Sequence, residues 1–208
     1  MGRPRAAYHK DAIASYLVYA EKNGGTWEYD QLSPAASVGD LIFDDNDNPL
    51  LVARRWEDVP TNWVLFYSRA SDGEWSVEPI VGGGDFSTKI SLALGPDSEP
   101  RAFFHDYDSD AYYYYGRPEN GSWEEVASFE YNGGPLSASD LLVDDEGVSH
   151  LLFYGNNGID EASGLIYATD ADGTWNTRIV DANVGSFILG VSLFAALSQC
   201  VSRDLSSR

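Results

Sequence analysis

Two tryptophans, Trp56 and Trp63, flank the polar segment 57–62, which contains two carboxylates and one amide. Aromatic rings beside carboxylates are suited to stacking on sugars or to anchoring a protein partner. The sequence therefore predicts a ligand-binding role for both tryptophans. Packing at the edge of a β-sheet is the alternative.

Three aspartates, Asp106, Asp108 and Asp110, alternate along the chain. This spacing lets carboxylates converge on a hard cation, as they do in calcium-binding loops. The segment lacks the central glycine and the distal glutamate of an EF-hand loop, so a solvated loop between strands is the favoured interpretation. We therefore predict no cofactor, and calcium at these residues is the alternative.

The sequence contains no further motif of catalysis or cofactor binding. The histidines His9, His105 and His150 are widely separated, so zinc ligands would have to meet through the fold. No Gly-x-Ser-x-Gly nucleophile motif occurs. The glycine run 82–84 lacks the lysine of a phosphate-binding loop. We therefore predict no catalytic residue.

The chain is strongly acidic: its 208 residues include 33 carboxylates and 13 lysines and arginines, for a formal net charge of −20. A nucleic acid or an anionic membrane surface would require clustered lysine and arginine. Neither is expected as a partner, whereas a basic protein, a cation or a neutral glycan is compatible with the charge. The longest apolar run, 187–197, is roughly half the length that spans a bilayer.

The expected location is extracellular or at the cell surface. The single cysteine, Cys200, cannot form an internal disulfide, and the sequence does not open on a signal peptide. Both observations are weak arguments against export, because a large β-domain can do without disulfides.

One pattern recurs four times along the chain. Each copy contains Gly-x-Trp, and the four tryptophans are 48, 48 and 52 residues apart. Eight residues before each tryptophan stands a tyrosine, followed by alanine, serine or glycine. Because glycine permits a tight turn, each copy is predicted to be a β-hairpin whose tryptophan packs between sheets. The tyrosines are Tyr19, Tyr67, Tyr115 and Tyr167, and the tryptophans are Trp27, Trp75, Trp123 and Trp175.

Two further strand segments precede each hairpin. Segments 40–44 and 140–144 represent the first type, and segments 49–53 and 100–104 represent the second. Four short antiparallel strands in about 48 residues match the size of a β-propeller blade. A helical repeat is excluded, because no window shows sustained apolar residues at helical spacing. The predicted fold class is all-β, with a partial or open β-propeller of about four blades.

The predicted boundaries follow from the phase of the repeat. Blades are expected at 38–81, 87–130 and 138–181, after a partial blade at 2–33. A single strand is expected at 187–197 and an irregular tail at 198–208. The last strand could complete the partial blade and close a four-bladed ring. We predict an open arc instead, with further blades of a longer chain as its partners, because no Asp/Gly turn follows that strand.

The Gly-x-Trp hairpins resemble the turns of the sialidase-like, Asp-box class of β-propeller repeat, notably at segments 71–75 and 169–175. The family pattern is Ser/Thr-x-Asp-x-Gly-x-Thr-Trp, with glycine three residues before tryptophan, whereas here glycine stands two before. The resemblance implies that the first strand of each blade, of the Leu41 type, is innermost. The strand of the Trp27 type would be outermost, and the turns would be structural.

Sialidases clamp a substrate carboxylate with three arginines, and use a tyrosine nucleophile, a glutamate and an aspartate acid/base. This chain lacks the Arg-Ile-Pro motif of that family, but Arg54 and Arg101 lie on or just after strands of the second type. Both are therefore candidate ligand-binding residues. The sequence favours a non-catalytic binding or scaffold module that contacts a protein or a glycan through its inter-strand loops. A fragment of a sialidase-like glycoside hydrolase is the alternative.

Overall fold

The computed structural model describes residues 3–10, 16–56, 62–118, 121–130, 139–156 and 163–182. All regular secondary structure in these residues is β-strand. The strands are short and rich in β-branched and aromatic residues, which suit a pleated, half-buried surface. They are β1 Arg5–Lys10, β2 Tyr16–Asn23, β3 Thr26–Pro34, β4 Ala36–Phe43, β5 Pro49–Trp56, β6 Asn62–Arg69, β7 Trp75–Gly84, β8 Phe86–Leu94, β9 Pro100–Asp106, β10 Ala111–Gly116, β11 Glu124–Glu130, β12 Ser139–Val143, β13 Ser149–Asn156, β14 Ser163–Thr169 and β15 Asn176–Asp181.

The strands form four antiparallel sheets, each built from consecutive strands. Sheet 1 contains β1 to β3, sheet 2 contains β4 to β7, sheet 3 contains β8 to β11 and sheet 4 contains β12 to β15. Within each sheet the spatial order follows the chain order. Sheets 2 to 4 are four-stranded and sheet 1 is three-stranded, which confirms the predicted all-β fold of four-stranded antiparallel blades.

Adjacent sheets meet along their first strands. The main backbone contacts between sheets join β4 to β8, β8 to β12 and β1 to β4, and none of them involves a fourth strand. At Gly39 a Cβ atom would lie 2.7 Å from the Cβ of Ile90, so only glycine allows β4 and β8 to approach this closely. The first strands therefore line the inside of the arrangement and the fourth strands its outside, as the resemblance implies.

The aspartate-rich turns are closed by their own side chains. In the turn from β4 to β5, Asp44 Oδ1 accepts the backbone N–H groups of residues 46 and 48, at 2.9 and 2.8 Å. Asp144 Oδ1 does the same for residues 146 and 148, both at 2.9 Å. Backbone N–H groups in a turn lack the partners that a neighbouring strand would provide, and the aspartate oxygens accept their hydrogen bonds instead. This explains why aspartate recurs in these turns.

The hydrophobic core is divided into three layers, each between two neighbouring sheets. In every layer a tryptophan at the first residue of a fourth strand, or one residue before it, packs edge-on against an aromatic ring of the preceding sheet. The three pairs and their ring-centre distances are Trp75 on Tyr19 at 5.2 Å, Trp123 on Phe66 at 5.3 Å and Trp175 on Tyr114 at 5.1 Å. The repeat tryptophans thus join neighbouring sheets, as predicted, in three of the four copies.

Trp27 is the exception. It belongs to sheet 1, and the residue is 42% exposed, compared with 9% for Trp123. No described sheet precedes sheet 1, so Trp27 has no aromatic ring of an earlier sheet to pack against. The prediction that all four repeat tryptophans pack between sheets is therefore wrong for Trp27.

The repeat tyrosines do not all face the same way. Tyr19 packs against Trp75 of the following sheet, whereas Tyr67 packs with Leu17 of the preceding one. Tyr115 also joins the layer towards its preceding sheet. The difference arises from the length of the turn in each hairpin. Two residues separate β2 from β3, but five separate β6 from β7. A one-residue difference in strand pairing moves a side chain to the opposite face, so the tyrosines are not equivalent.

The predicted strand at 187–197 and the tail at 198–208 lie outside the described residues. Within the described residues, sheets 1 and 4 share no contact of the kind that joins neighbouring sheets. This part of the chain is therefore an open, unclosed series of four sheets.

Candidate functional site

The connections between strands lie at two ends of the sheets. We call upper the end at which β5 and β7 finish and β6 and β8 begin, and lower the end that carries the turns 44–48, 70–74, 95–99 and 144–148. The candidate ligand residues Arg54, Trp56 and Trp63 lie at the upper end, and Arg101 lies at the lower end. The structure therefore divides the predicted ligand set.

An upper cluster forms from Arg54, Trp56, Asn62 and Asp85. Arg54 Nη2 donates a hydrogen bond to Asp85 Oδ1 at 2.8 Å, and Asn62 Nδ2 donates to the same oxygen at 3.3 Å. The guanidinium carbon of Arg54 lies 5.2 Å from the ring centre of Trp56. The cluster thus combines an aromatic ring with amide, guanidinium and carboxylate groups.

Local structure explains why these four side chains meet. Trp56 and Asn62 are cross-strand partners at the ends of β5 and β6, and the Trp56 N–H donates to the Ala35 carbonyl at 2.8 Å. Asp85 is the single residue between β7 and β8, so it stands where sheet 2 passes into sheet 3. Its carboxylate is 49% exposed while the Arg54 side chain is 12% exposed, so the polar end of the cluster is open to solvent.

His9 extends the cluster towards sheet 1. Its ring centre lies 6.2 Å from that of Trp56, with the two planes tilted by 51°. Residues from sheets 1 and 2 and from the connection to sheet 3 therefore surround one aromatic ring. The sequence contained no signal for Asp85 or Asn62, because both are common turn residues.

Trp63 has a packing role. A Cβ atom on Gly82 would lie 2.4 Å from the Trp63 ring, so the indole rests directly on the β7 backbone. The ring also packs against the core layer between sheets 1 and 2. Edge packing, the alternative to ligand binding, is what the geometry of Trp63 supports.

The aspartates of segment 106–110 are used within their own turn. Asp106 is 8% exposed, and its Oδ1 accepts the backbone N–H groups of Asp85 and Asp108, both at 3.1 Å. Its Oδ2 accepts the hydroxyl of Ser109 at 2.9 Å. Asp110 lies 3.9 Å from Nε2 of the buried His105. Among the described residues, no three histidine, cysteine, aspartate or glutamate side chains are grouped to hold a metal ion. Calcium at Asp106, Asp108 and Asp110 thus stays the alternative prediction.

Arg101 ties sheet 3 to sheet 4. Its Nη1 donates to the Gly147 carbonyl and to Ser149 Oγ, both at 3.0 Å. Arg5 reaches from sheet 1 to sheet 2 in the same way, with its guanidinium on the Asp47 carboxylate. Equivalent arginines therefore hold equivalent turns of the next sheet, which is a structural use of the side chain.

A cleft of about 410 Å³ lies beside Arg101 at the lower end. It is lined by Arg101, Tyr114, Arg117, Glu99, Glu124 and Asp170 among others. Burial raises the pKa of the Tyr114 hydroxyl, and this hydroxyl shares a 2.6 Å hydrogen bond with Ser149 Oγ. Tyr114 is thus less able to ionise than an exposed tyrosine, which is the opposite of what a tyrosine nucleophile needs.

Two aspartates occupy equivalent positions on first strands, Asp40 on β4 and Asp140 on β12. Asp40 Oδ2 accepts the backbone N–H of Leu92 in sheet 3 at 3.0 Å, and its Oδ1 accepts that of Leu41 at 2.8 Å. Burial raises the pKa of the Asp40 carboxyl, and the charge of Asp140 adds to the rise. Among the described residues, Asp40 is thus an inner carboxyl group with the raised pKa that an acid catalyst needs.

None of the described residues forms a helix with the length and apolar character needed to cross a membrane.

Comparison with known proteins identifies the fold and no closer family. No protein-family model matches the chain, and no curated protein matches it. Forty chains of solved structures match. One is the Hadza microbial sialidase Hz136, with a TM-score of 0.54 and 16% identity, over 80% of this chain and 37% of that one.

Two other solved structures are more distant. An oligogalacturonate lyase in complex with manganese matches with a TM-score of 0.47 and 15% identity, over 78% of this chain and 41% of that one. The endo-arabinase from Bacteroides thetaiotaomicron VPI-5482 matches with a TM-score of 0.42 and 11% identity, over 85% and 80%. This chain therefore spans about two fifths of the length of the sialidase and of the lyase.

The class that the fold defines is a partial β-propeller. Four sheets arranged side by side, with their first strands innermost, agree with the match to the sialidase. At 16% identity this likeness concerns the fold alone.

Proposed function

We propose that this protein is a non-catalytic β-propeller module that binds a glycan at its upper cluster. The observation that carries the proposal is the meeting of the Trp56 ring with Arg54, Asn62 and the half-exposed Asp85. A sugar presents one apolar face and a rim of hydroxyl groups. An aromatic ring beside a carboxylate, an amide and a guanidinium complements both.

The electrostatics of the upper cluster suit an uncharged ligand. The chain carries a formal charge of −20, which disfavours anionic ligands in general. Asp85 accepts hydrogen bonds from Arg54 and Asn62 through one oxygen, Oδ1. Because an ion pair with a half-exposed partner contributes only about 0–1 kcal/mol, sugar hydroxyls can share or replace these bonds at small cost.

The arginines support a binding role over catalysis. Arg5, Arg69, Arg101 and Arg117 each contact a neighbouring sheet, which distributes them over several junctions. A sialidase-type clamp would need arginines from several blades in one pocket. Arg101 and Arg117 share the lower cleft with Tyr114, but both belong to sheet 3 and the Tyr114 pKa is raised. An extracellular or cell-surface location, where glycans are abundant, is part of the proposal.

The test is titration of the 208-residue chain with a panel of neutral oligosaccharides, followed by calorimetry and saturation-transfer NMR. We expect binding of at least one member of the panel, and a loss of about ten-fold or more in affinity for Trp56→Ala, because a buried aromatic contact contributes about 1–3 kcal/mol. The matched control is Tyr107→Ala, which removes another aromatic ring at the upper end, 46% exposed, and keeps the backbone hydrogen bond from the Tyr107 N–H to the Asp85 carbonyl. Its affinity should stay within about two-fold of the unmodified chain.

Equal losses in both variants, or no binding across the panel, would contradict a site at Trp56. The same mixtures test the second candidate, a fragment of a glycoside hydrolase, which is favoured by the raised pKa of Asp40 beside Asp140. Released sugar products that disappear in Asp40→Asn would support that enzyme over the binding module.

A further inference from the structure

Sheet 1 exposes a face that each later sheet buries. Paired residues of antiparallel strands lie on the same face, and Tyr8 pairs with Val18, Ala20 with Tyr29, and Lys22 with Trp27. These six residues define the back face of sheet 1. Leu17 and Tyr19 lie on the opposite face, packed against sheet 2.

The back face is largely apolar and open along β3, whereas Val18 and Ala20 on β2 are 5% and 2% exposed. Trp27 is 42% exposed and Tyr29 is 61% exposed. A cleft of about 460 Å³ lies between Tyr8, Val18 and Tyr29. Neighbouring aromatic side chains that are exposed to solvent usually mark a surface that contacts another protein segment.

The other junctions show which ring belongs on Trp27. In sheet 2 the tryptophan at the same place, Trp75, covers Tyr19 at 5.2 Å; in sheet 3, Trp123 covers Phe66 at 5.3 Å. Both covered rings lie on the strand next to the outermost strand of the preceding sheet, β2 in sheet 1 and β6 in sheet 2. By the same geometry Trp27 accepts an aromatic ring from the strand next to the outermost strand of another sheet.

The ion pairs at the other junctions indicate which charge a partner of the back face must carry. Arg69, the cross-strand partner of Trp75, lies 3.7 Å from Asp30 of the preceding sheet. Arg117, at the same place in sheet 3, lies 3.3 Å from Glu78. Lys22 is the cross-strand partner of Trp27 and so holds the same position on the back face of sheet 1. A sheet that packs on the back face would therefore place a carboxylate against Lys22.

A second copy of this chain does not meet both requirements. Asp30 is paired with Tyr19 and Glu78 with Phe66, so sheets 1 and 2 present a ring and a carboxylate together. In sheet 4 the corresponding pair is Tyr167 with Arg178, whose guanidinium lies 4.8 Å over the ring. Sheet 4 would place Arg178 against Lys22, a like-charge contact that opposes head-to-tail association.

We propose that the back face of sheet 1 is a docking surface for a further four-stranded antiparallel sheet. That sheet presents an aromatic ring to Trp27 and a carboxylate to Lys22. This assignment goes beyond glycan binding and does not depend on it, because the upper cluster uses none of the back-face residues.

The experiment supplies such a sheet in a fused chain. Residues 36–99 are copied and joined to Pro4, so that the new Glu99–Pro4 bond imitates the natural Glu99–Pro100 bond. The added segment brings its own Phe66 and Glu78, and its second β8 becomes the first strand of sheet 1. Hydroxyl-radical footprinting with mass spectrometry then reports the exposure of Trp27 and Tyr29. Their peptides are compared with that of Tyr107, which is 46% exposed in the natural chain.

Oxidation of Trp27 should fall about five-fold in the fused chain, as its exposed fraction drops from 42% towards the 9% of Trp123, while Tyr107 is unchanged. A fused chain that carries Phe66→Ala and Glu78→Lys in the added copy alone should lose most of this protection. Unchanged oxidation of Trp27, or an added segment that does not fold, would overturn the proposal.

The unmodified chain gives an independent measurement. Light scattering should show it as a monomer over a wide concentration range. A dimer that Trp27→Lys abolishes would show that a second copy occupies the back face, and the assignment to a different sheet would be wrong.

Discussion

Burial of one histidine makes the stability of this fold depend on pH. His105 is 2% exposed, and its ring packs edge-on against Tyr107 and Tyr112 at 4.9 and 5.0 Å. Burial lowers the pKa of His105 to about 4, although the charges of Asp110 and Asp106 oppose the shift. The folded protein thus holds this ring neutral down to a pH at which the unfolded chain has already taken up a proton.

The expected result is a loss of stability on acidification from about pH 7.5 to pH 5. An unfolded histidine has a pKa of about 6.5, so the unfolded state binds the extra proton in this window and the folded state does not. The free energy of unfolding should fall by about 2 kcal/mol from this residue. The contribution is fully present above about pH 6.5 and is lost as the pH falls towards 4.

Urea titrations at several pH values measure this effect. The slope of stability against pH should be smaller in His105→Asn than in the unmodified chain. His9→Asn is the control, because His9 stands at the corresponding end of β1 in sheet 1. Identical slopes in the unmodified chain and in His105→Asn would show that His105 is not the source.

At the scale of elements, the hairpin tryptophans join each of sheets 2, 3 and 4 to the sheet that precedes it. Three of them repeat one geometry, with ring centres 5.1 to 5.3 Å apart and planes inclined by 63 to 72°. Such edge-on pairs add about 0.5–1.5 kcal/mol to the gain from burial. The accompanying Arg117–Glu78 pair is one-third exposed on both sides, so it adds about 1 kcal/mol at most and chiefly fixes the register.

Two matched substitutions test the role of these tryptophans. Trp123→Ala should lower the free energy of unfolding by about 3–5 kcal/mol, because it leaves a cavity in the layer between sheets 2 and 3. Trp27→Ala removes the same side chain from an exposed position and should cost less than about 1 kcal/mol. Denaturant titrations that give similar losses for both variants would disprove the difference between covered and uncovered tryptophans.

The sequence predicts much of the arrangement of elements, because the residue types that repeat are the ones that turns and strands require locally. Aspartate and glycine are needed by the turns, and β-branched and aromatic residues by the strands, so four strands per unit could be read directly. The sequence did not reveal which face of the sheet Tyr67 and Tyr115 occupy. The tyrosine-to-tryptophan spacing is constant, but it does not record how many of the intervening residues belong to the turn.

The candidate site was predicted only in part, for a similar reason. Arg54 and Trp56 stood out by type and do meet at the upper end, but Arg101 differs from Arg54 only in which end of its strand it occupies. Asp85 and Asn62 become recognisable only when strand pairing brings them beside Arg54. Exposure of Trp27 depends on what lies against its sheet, which a repeat pattern does not specify.

For the whole molecule, the central claim is that the sheets stand side by side with their first strands on the inside. The most direct test is a disulfide between two first strands, made by Ser91→Cys with Ser139→Cys in a Cys200→Ala background. The two hydroxyl oxygens lie 3.2 Å apart, across the junction of sheets 3 and 4. This separation suits the short Cβ–Cβ distance that a disulfide requires, about 3.5–4.5 Å.

Mass spectrometry of the non-reduced, digested protein gives the answer. The account predicts that mild oxidation forms an intramolecular disulfide, which links the peptide containing Ser91→Cys to the peptide containing Ser139→Cys. The control pair, Ser91→Cys with Ser122→Cys, joins the inside of sheet 3 to its outer side and should remain reduced. If the first pair stays reduced under the same conditions, or links different chains, the first strands of sheets 3 and 4 are not neighbours and the propeller arrangement is wrong.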